Sequence, residues 1–189
     1  MNKQTLMLGL TGLEAVLCCA VGLLAGSLVL SVDAPLQALA TVILGTALAL
    51  ITLIDQRHFC IPNVLSLPLI PIGIGTALLL DLRQFGEHAL AALFAASVFL
   101  TLRYVYIWYR GIEGLGMGDV KLMTAAGAWV GFDGLAPTVL LASIAALMTV
   151  LISRLLGRNS KSLGWQTRVP FGSFLAPAIL GIWLVRFWL

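Results

Sequence analysis

Two aspartates lie at the ends of long apolar stretches, and they are the residues of this sequence best suited to chemistry. Asp55 closes an apolar run in the stretch TLIDQR, and Asp119 opens another in GMGDVKL, after Gly114, Gly116 and Gly118. Two carboxyl groups that approach each other cannot both ionise easily, so one holds a proton while the other is charged. Such a pair can activate a water molecule as general base and polarise a carbonyl group as general acid. The pattern favours an aspartyl hydrolase, provided that the fold brings the two residues together.

The composition indicates that these aspartates belong to a membrane protein. Charged residues make up 10% of the 189 residues, against roughly 25% in a typical soluble domain, and the mean hydropathy is +1.05. A chain with so little polar surface needs lipid as its solvent. The net charge of +3 is small, and no basic run is interleaved with aromatic residues, so a nucleic-acid partner is not expected. Cys18, Cys19 and Cys60 form no CxxC pair, which indicates neither a disulfide framework nor a zinc site.

Seven apolar runs predict an all-α bundle of about seven transmembrane helices, in a single domain over residues 1–189. The runs are Thr5–Leu30, Pro35–Ile54, Val64–Leu80, Ala89–Trp108, Val120–Val130, Leu135–Ile152 and Phe171–Trp188. A helix needs ~20 residues to cross ~30 Å of hydrocarbon. The fifth run has only 11 residues, so we expect its helix to gain length at the amino end or to thin the bilayer locally. The first run is too long for a signal peptide and carries Glu14, so we interpret it as an uncleaved span.

The basic residues predict how the bundle is oriented. With the amino end in the cytoplasm and seven crossings, nine of the eleven basic residues lie at or near the cytoplasmic face. Only Arg83 and Arg186 then lie on the outer side. The loops that hold Asp55, Asp119 and the stretch Arg168–Gly172 share the cytoplasmic face in this arrangement. Three polar features far apart in the sequence are thus expected at one side of the membrane.

Each aspartate also has a purely structural interpretation. Asp119 at a helix start suits an N-cap, in which a side-chain oxygen accepts a free backbone N–H. Asp55 could be an interfacial charge that pairs with Arg57, two residues further on. Ionisable groups at membrane depth are costly and usually mark function, and two of the eight acidic residues are expected at helix mouths on one face. The combination therefore favours a catalytic pair.

Three other charged residues have more than one interpretation. Lys121 could hold an acidic residue of a substrate or bias Asp119 towards ionisation, and it could equally extend to the lipid headgroups. Glu113 is expected to be a solvated loop charge that pairs with Arg110, and a role in substrate binding is the alternative. Glu14 lies inside the first apolar run, so it needs a partner or a water-filled cleft, and the sequence reveals no partner.

Histidines, aromatic residues and small residues are expected to serve the membrane interface and helix packing. His58 and His88 lie near span ends on opposite faces, which argues against a shared metal site and places both at the interface. The spacings Gly22-xxx-Gly26 and Gly127-xxx-Gly131 can bring helices close together. Aromatic residues expected in an interfacial belt are Trp108, Tyr109, Trp129, Trp165, Trp183 and Trp188.

Three blocks of the sequence resemble the signature blocks of prepilin leader peptidases, the GxGD-type intramembrane aspartyl proteases of type IV pili and type II secretion. The blocks are Asp55-xxxxx-Ile61-Pro62-Asn63, Glu113–Leu122 (EGLGMGDVKL) and Val169–Ala176 (VPFGSFLA). The resemblance runs from about residue 36 to the carboxyl end. A lone GxGD is a weak signal, whereas three blocks in this order are specific.

This resemblance implies that Asp55 and Asp119 are the catalytic pair. It implies the removal of short basic leaders from prepilins or pseudopilins at the cytoplasmic face of the bacterial inner membrane, typically after a glycine. It implies no metal and no cofactor. The residues expected to support the site or the substrate are Gly116, Gly118, Lys121, Pro170, Phe171 and Gly172.

Two departures from the family pattern bear on function. Longer members carry a cytoplasmic insertion with paired CxxC motifs, and many also N-methylate the new amino terminus. This chain has no CxxC and a first loop of about four residues, Ser31–Ala34, so N-methyltransferase activity is left open. Ser173 stands where many relatives have a proline, and Pro170-Phe171-Gly172 is still expected to permit an extended backbone near the substrate.

Three other classes of protein remain open on the sequence alone. A small ion-coupled transporter would use the two aspartates as ion ligands, although the sequence shows no internal repeat of interrupted helices. A non-catalytic membrane scaffold of a secretion system would tolerate the loss of either aspartate. A metal-dependent phosphotransferase would need a further carboxylate cluster to hold magnesium. The sequence names neither the pilus or secretion system nor the oligomeric state.

Overall fold

The computed structural model describes residues 12–30, 35–80, 82–155 and 170–186. The regular elements within these residues are α1 Gly12–Leu30, α2 Pro35–His58, α3 Asn63–Leu80, α4 Leu82–Arg110, α5 Met117–Leu155 and α6 Gly172–Val185. All six are α-helices. Four of them, α2 to α5, are long and apolar enough to cross a membrane, and α1 and α6 contain shorter apolar stretches. The predicted all-α bundle of apolar helices is confirmed.

The longest helix, α5, is broken at Gly131, where φ is 65° and ψ is −169°. Glycine adopts these angles far more readily than any residue with a side chain. A Cβ atom built on Gly134 would lie 2.4 Å from Cβ of Val130, whereas residues four apart on a straight helix keep ~5–6 Å between their Cβ atoms. The chain therefore bends sharply at Gly131, which divides α5 into segments 117–130 and 132–155.

With this break, the described residues contain seven helical segments, in agreement with the seven apolar runs. The two segments of α5 correspond to the runs Val120–Val130 and Leu135–Ile152. The first segment begins at Met117, so the short fifth run does gain length at its amino end.

Small residues bring neighbouring helices into close contact. α1 packs along α2, and α4 packs along α5. A Cβ atom on Gly22 would lie 2.1 Å from Oγ1 of Thr46, and one on Gly127 would lie 2.6 Å from the carbonyl oxygen of Ala91. A larger residue at either position would push the two helices apart, so the predicted packing role holds for both glycines.

Two of the tryptophans expected at the membrane interface are instead buried in the core. The rings of Trp129 and Trp183 meet edge to face with their centroids 5.2 Å apart. Trp129 Nε1 donates to the Leu69 carbonyl at 2.8 Å, and Trp183 Nε1 donates to Thr41 Oγ1 at 2.9 Å. Because both indole N–H groups find partners inside the bundle, these rings need no polar interface. The interfacial prediction is wrong for both, and Trp165 and Trp188 lie outside the described residues.

His88, also expected at the interface, is buried beside the break in α5. Its Nδ1 lies 2.9 Å from the carbonyl oxygen of Ala128. A carbonyl can only accept, so Nδ1 carries the hydrogen and Nε2 accepts an N–H of Arg186 at 3.2 Å. Arg186 also donates to the Val130 carbonyl at 3.4 Å. The two side chains therefore bind carbonyl groups at the end of the first α5 segment, where a broken helix leaves them without the usual N–H partners.

Candidate active site

Asp55 lies in the last turn of α2 and is buried, with 4% of its surface exposed. Its Oδ2 accepts the backbone N–H of Ser173 at 2.8 Å. Ser173 is the second residue of α6, and the first N–H groups of a helix have no partner within the helix. The proposed pairing of Asp55 with Arg57 is wrong, because Arg57 turns to Glu14 instead, with Nη1 3.0 Å from Oε2. Asp55 thus joins the end of α2 to the start of α6.

Asp119 lies in the first turn of α5, as the third residue of the helix. It is therefore not the N-cap that its position in the sequence suggested, because the helix begins two residues earlier. Its carboxyl group lies against Gly116, the residue that precedes the helix, because a Cβ atom built on Gly116 would be 3.0 Å from Asp119 Oδ2.

Ile61 packs against two helix starts: that of α5, which carries Asp119, and that of α6, which binds Asp55. A Cβ atom on Gly118 would lie 2.8 Å from Cβ of Ile61, and one on Gly172 would lie 2.7 Å from its Cδ1. One isoleucine side chain therefore packs against the beginning of α5 and the beginning of α6. The carboxyl groups of Asp55 and Asp119 lie within range of a direct electrostatic interaction. We call this end of the bundle the aspartate end.

The glycines next to the aspartates leave room for close approach. A Cβ atom on Gly172 would lie 2.9 Å from Asp55 Oδ2, and one on Gly116 would lie 3.0 Å from Asp119 Oδ2. Both distances are shorter than ordinary contacts between a carbon and an oxygen atom. Each carboxyl group can therefore reach the backbone only because the neighbouring residue has no side chain.

Pro170-Phe171-Gly172 does not form the extended backbone that was expected. Phe171 has helical angles, with φ −65° and ψ −35°, and α6 begins at Gly172. The Ser173 hydroxyl donates to the Pro170 carbonyl at 2.7 Å, which fixes this first turn. The expectation of an extended Phe171 is wrong, because Phe171 belongs to the first turn of α6. This turn presents the free N–H of Ser173 that Asp55 binds. A proline at position 173 would have no N–H, so this contact depends on Ser173.

Lys121 binds within the protein. Its Nζ donates to Oδ1 of Asn63 at 2.7 Å. Asn63 is the first residue of α3 and Lys121 is near the start of α5, so the contact holds two helix starts together. The last signature residue of the first block, Asn63, is thereby brought to the second block.

Arg103 is the residue at this end that sequence reasoning missed. It lies on α4, and its Nη2 donates to Glu113 Oε1 at 2.6 Å while its Nη1 donates to the Leu115 carbonyl. Glu113 therefore pairs with Arg103 and not with Arg110 as expected. An arginine inside an apolar run, seven residues before the end of α4, was the available signal.

Glu14 is paired with Arg57, a partner that could not be identified from the sequence. It forms an ion pair with Arg57, in the last turn of α2. The pair lies beside an apolar cavity of about 470 Å³ between α1, α2 and α6, to which Glu14, Thr52 and Gln56 contribute. Gln56 follows Asp55 directly, so the cavity borders the turn that carries this aspartate.

The arrangement brings the carboxyl groups of Asp55 and Asp119 to one end of the bundle, close enough to interact electrostatically. Within the described ranges, no three His, Cys, Asp or Glu side chains are grouped so that they could hold a metal ion. The chemistry that these side chains offer is proton transfer between two carboxyl groups, water and a carbonyl group.

Comparison with known proteins assigns the chain to a family. The model of the type IV leader peptidase family matches residues 42–151, a range that includes both aspartates. The chain belongs to the type IV leader peptidase family. With its apolar helices, this membership makes it a multi-pass membrane protein.

Curated relatives in this family carry the name prepilin leader peptidase/N-methyltransferase. The protein of Burkholderia pseudomallei is 35% identical over 147 residues, which is 74% of this chain and 44% of the relative. That of Pseudomonas aeruginosa is 36% identical over 158 residues, 80% of this chain and 50% of the relative. That of Stutzerimonas stutzeri is 36% identical over 177 residues, which is 89% of this chain and 56% of the relative. The chain thus spans about half the length of these relatives, and no solved structure matches it.

Proposed function

We propose that the chain is an intramembrane aspartyl endopeptidase that removes the short basic leader from prepilins or pseudopilins. What carries this proposal is that Asp55 and Asp119, 64 residues apart in the sequence, lie at the same end of the bundle, where Ile61 packs against Gly118 and Gly172 beside them. Family membership and the names of the relatives support the substrate class. The positive-inside pattern supports cleavage at the cytoplasmic face of the bacterial inner membrane.

The proposed reaction is hydrolysis by water between the two carboxyl groups. The charged carboxylate takes a proton from water, whose oxygen attacks the carbonyl carbon of the scissile peptide. The protonated carboxyl group gives its proton to the carbonyl oxygen. The C–N bond of the tetrahedral intermediate then breaks as its nitrogen takes up the proton that the first aspartate took from water. At the same time a hydroxyl group of the intermediate returns its proton to the second aspartate as the new carboxyl group forms, which releases the new amino terminus and restores the pair.

Replacement of the aspartates tests the proposal. Asp119→Asn keeps the size of the side chain and its packing against Gly116, so the protein should insert and fold. It removes the ionisable oxygen, so leader removal should fall by about 10³-fold or more. Asp55→Asn and the double variant should be equally inactive, because the two residues work as one unit.

The assay co-expresses each variant with a candidate prepilin in a host without its own prepilin peptidase. Leader removal is followed by mass spectrometry of the new amino terminus, which also shows whether a methyl group is added, the activity left open above. Asp133→Asn is the matched control, since Asp133 is exposed on the same helix beyond the Gly131 break. Cleavage by Asp119→Asn near the wild-type rate would favour the scaffold interpretation instead.

A further inference from the structure

Arg103 is a charged residue in a position that requires an explanation. It lies in the apolar helix α4, and its side chain is only 11% exposed. A charged side chain at membrane depth is costly unless it is paired, and such residues are usually functional. No part of the proposed reaction uses Arg103 directly.

The two contacts of Arg103 differ in kind. Nη2 binds Glu113, whose side chain is 72% exposed. An ion pair with so exposed a partner contributes little to stability. Nη1 binds the backbone carbonyl of Leu115, within the glycine-rich loop that leads to α5. A carbonyl oxygen in a loop has no helical partner, so this second contact fixes the backbone itself.

The peptide group that Arg103 binds lies against Asp119. The Leu115 carbonyl and the Gly116 N–H belong to the same peptide group, which is planar. Its oxygen accepts from Arg103, and a Cβ atom built on Gly116 would lie 3.0 Å from Asp119 Oδ2. A shift of this peptide group would therefore move the backbone against which the Asp119 carboxyl group rests.

The loop would not hold this peptide group in place without such a contact. Gly111 has a φ of +68°, and a Cβ atom on Gly114 would lie 2.3 Å from the ring of Tyr106. Glycines allow the chain to follow this path, but they also give the backbone the greatest freedom to leave it. Arg103, which belongs to the long helix α4, binds Leu115 and so restrains the loop one residue before Gly116.

We propose that Arg103 is a positioning residue, which holds the Leu115–Gly116 peptide group in place so that Gly116 supports the Asp119 carboxyl group in the working geometry. This inference rests on the proposed function, in which Asp119 is one of the catalytic pair. Arg103 does not touch the substrate or the water in this scheme. Its loss should therefore lower kcat and leave KM unchanged.

Three variants test the role of Arg103 with the full chain in membranes and a purified prepilin. Arg103→Ala removes both contacts and should lower kcat by on the order of 10- to 100-fold, the size expected when a catalytic group is misplaced by about 1 Å. Arg103→Lys keeps a donor that can reach one acceptor but not both, and should recover part of the loss. Glu113→Gln is the matched control, because it removes the ion pair and leaves the Leu115 contact; it should be near wild type.

The outcomes separate this inference from the proposed function. If Asp119→Asn is inactive but both Arg103 variants have wild-type kcat, Arg103 has no positioning role. Equal losses in Arg103→Ala and Glu113→Gln would also overturn the inference, since the ion pair alone would then explain them. Activity in Asp119→Asn would instead overturn the proposed function. If Arg103→Ala fails to reach the membrane, the test becomes the ratio of kcat in Arg103→Lys to kcat in Glu113→Gln. A ratio near one refutes the positioning role of Arg103.

Discussion

Each carboxyl group of the candidate pair is restrained by backbone at the start of a helix. Asp55 accepts the N–H of Ser173 on another helix, and the Asp119 carboxyl group lies against Gly116 just before its own helix. A carboxyl group restrained in this way needs little rearrangement when it takes or gives a proton. The glycines beside the two carboxyl groups are therefore expected to affect the rate as well.

Gly172→Ala is expected to damage the site without breaking the helix that carries it. The added Cβ atom would meet Asp55 Oδ2 at 2.9 Å and Ile61 Cδ1 at 2.7 Å, so the Asp55–Ser173 contact must open. We expect the rate of leader removal to fall by on the order of 10- to 100-fold, as for other small displacements of catalytic groups. The rate is measured with purified prepilin in detergent.

Gly181→Ala is the control for this change on the same helix. A Cβ atom at Gly181 has nothing within 4 Å, and alanine suits a helix better than glycine by up to about 1 kcal/mol. It should process prepilin normally. Wild-type activity in Gly172→Ala would show that the Ser173 contact does not matter for catalysis.

The sequence could predict the residues that meet here, but not all of their partners. Asp55, Asp119 and the glycines were identifiable because glycines and acidic residues at the ends of apolar runs are unusual. Arg103 was missed because its partner is a backbone carbonyl, which every residue has and no sequence pattern reveals. The burial of Trp129 and His88 was missed because a position along a helix does not tell which neighbours fill its faces.

At the scale of the helices, the break at Gly131 connects two helical segments without an intervening loop. It ends the first segment of α5, and the carbonyl groups of Ala128 and Val130 are bound by His88 and Arg186. The first segment can therefore be short, at 14 residues from Met117 to Val130, and still carry Asp119 at the opposite end of the bundle. The sequence predicted two apolar runs here, but not that one glycine would join them.

Gly131→Ala is expected to destabilise the protein. The φ of 65° with ψ −169° is a region open essentially to glycine alone, so alanine should cost about 1–3 kcal/mol of unfolding free energy. Thermal unfolding in detergent measures the loss. Gly75→Ala serves as the control, because a Cβ atom there has nothing within 4 Å. An unchanged midpoint in Gly131→Ala would mean that the chain does not need this backbone conformation.

At the scale of the whole molecule, basic residues are divided between the two ends of the bundle. Arg57, Arg103 and Lys121 lie at the aspartate end, whereas Arg83, at the start of α4, and Arg186 lie at the end near the Gly131 break. This division agrees with the predicted orientation, in which the aspartate end faces the cytoplasm. The loop with the most basic residues, which includes Arg158 and Lys161, lies outside the described residues.

Labelling of single cysteines tests the orientation. In a background without Cys18, Cys19 and Cys60, Ser160→Cys should react with a membrane-impermeant maleimide only in inverted vesicles. Gly86→Cys, exposed near the start of α4, should react only in cells with a permeable outer membrane. The reverse pattern would place the aspartate end outside the cytoplasm and would contradict the proposed site of cleavage.

The Asp55–Ser173 contact also sets the order in which the site can be completed during synthesis. Asp55 leaves the ribosome early, but the amide that restrains it is made 118 residues later, on the last helix that the structure describes. Helices insert and fold from the amino end as the chain grows. A growing chain would therefore hold both aspartates in the membrane for some time without a finished site. Under the proposed function, proteolytic activity would begin only when α6 docks, so an incomplete chain could not cleave its neighbours in the membrane.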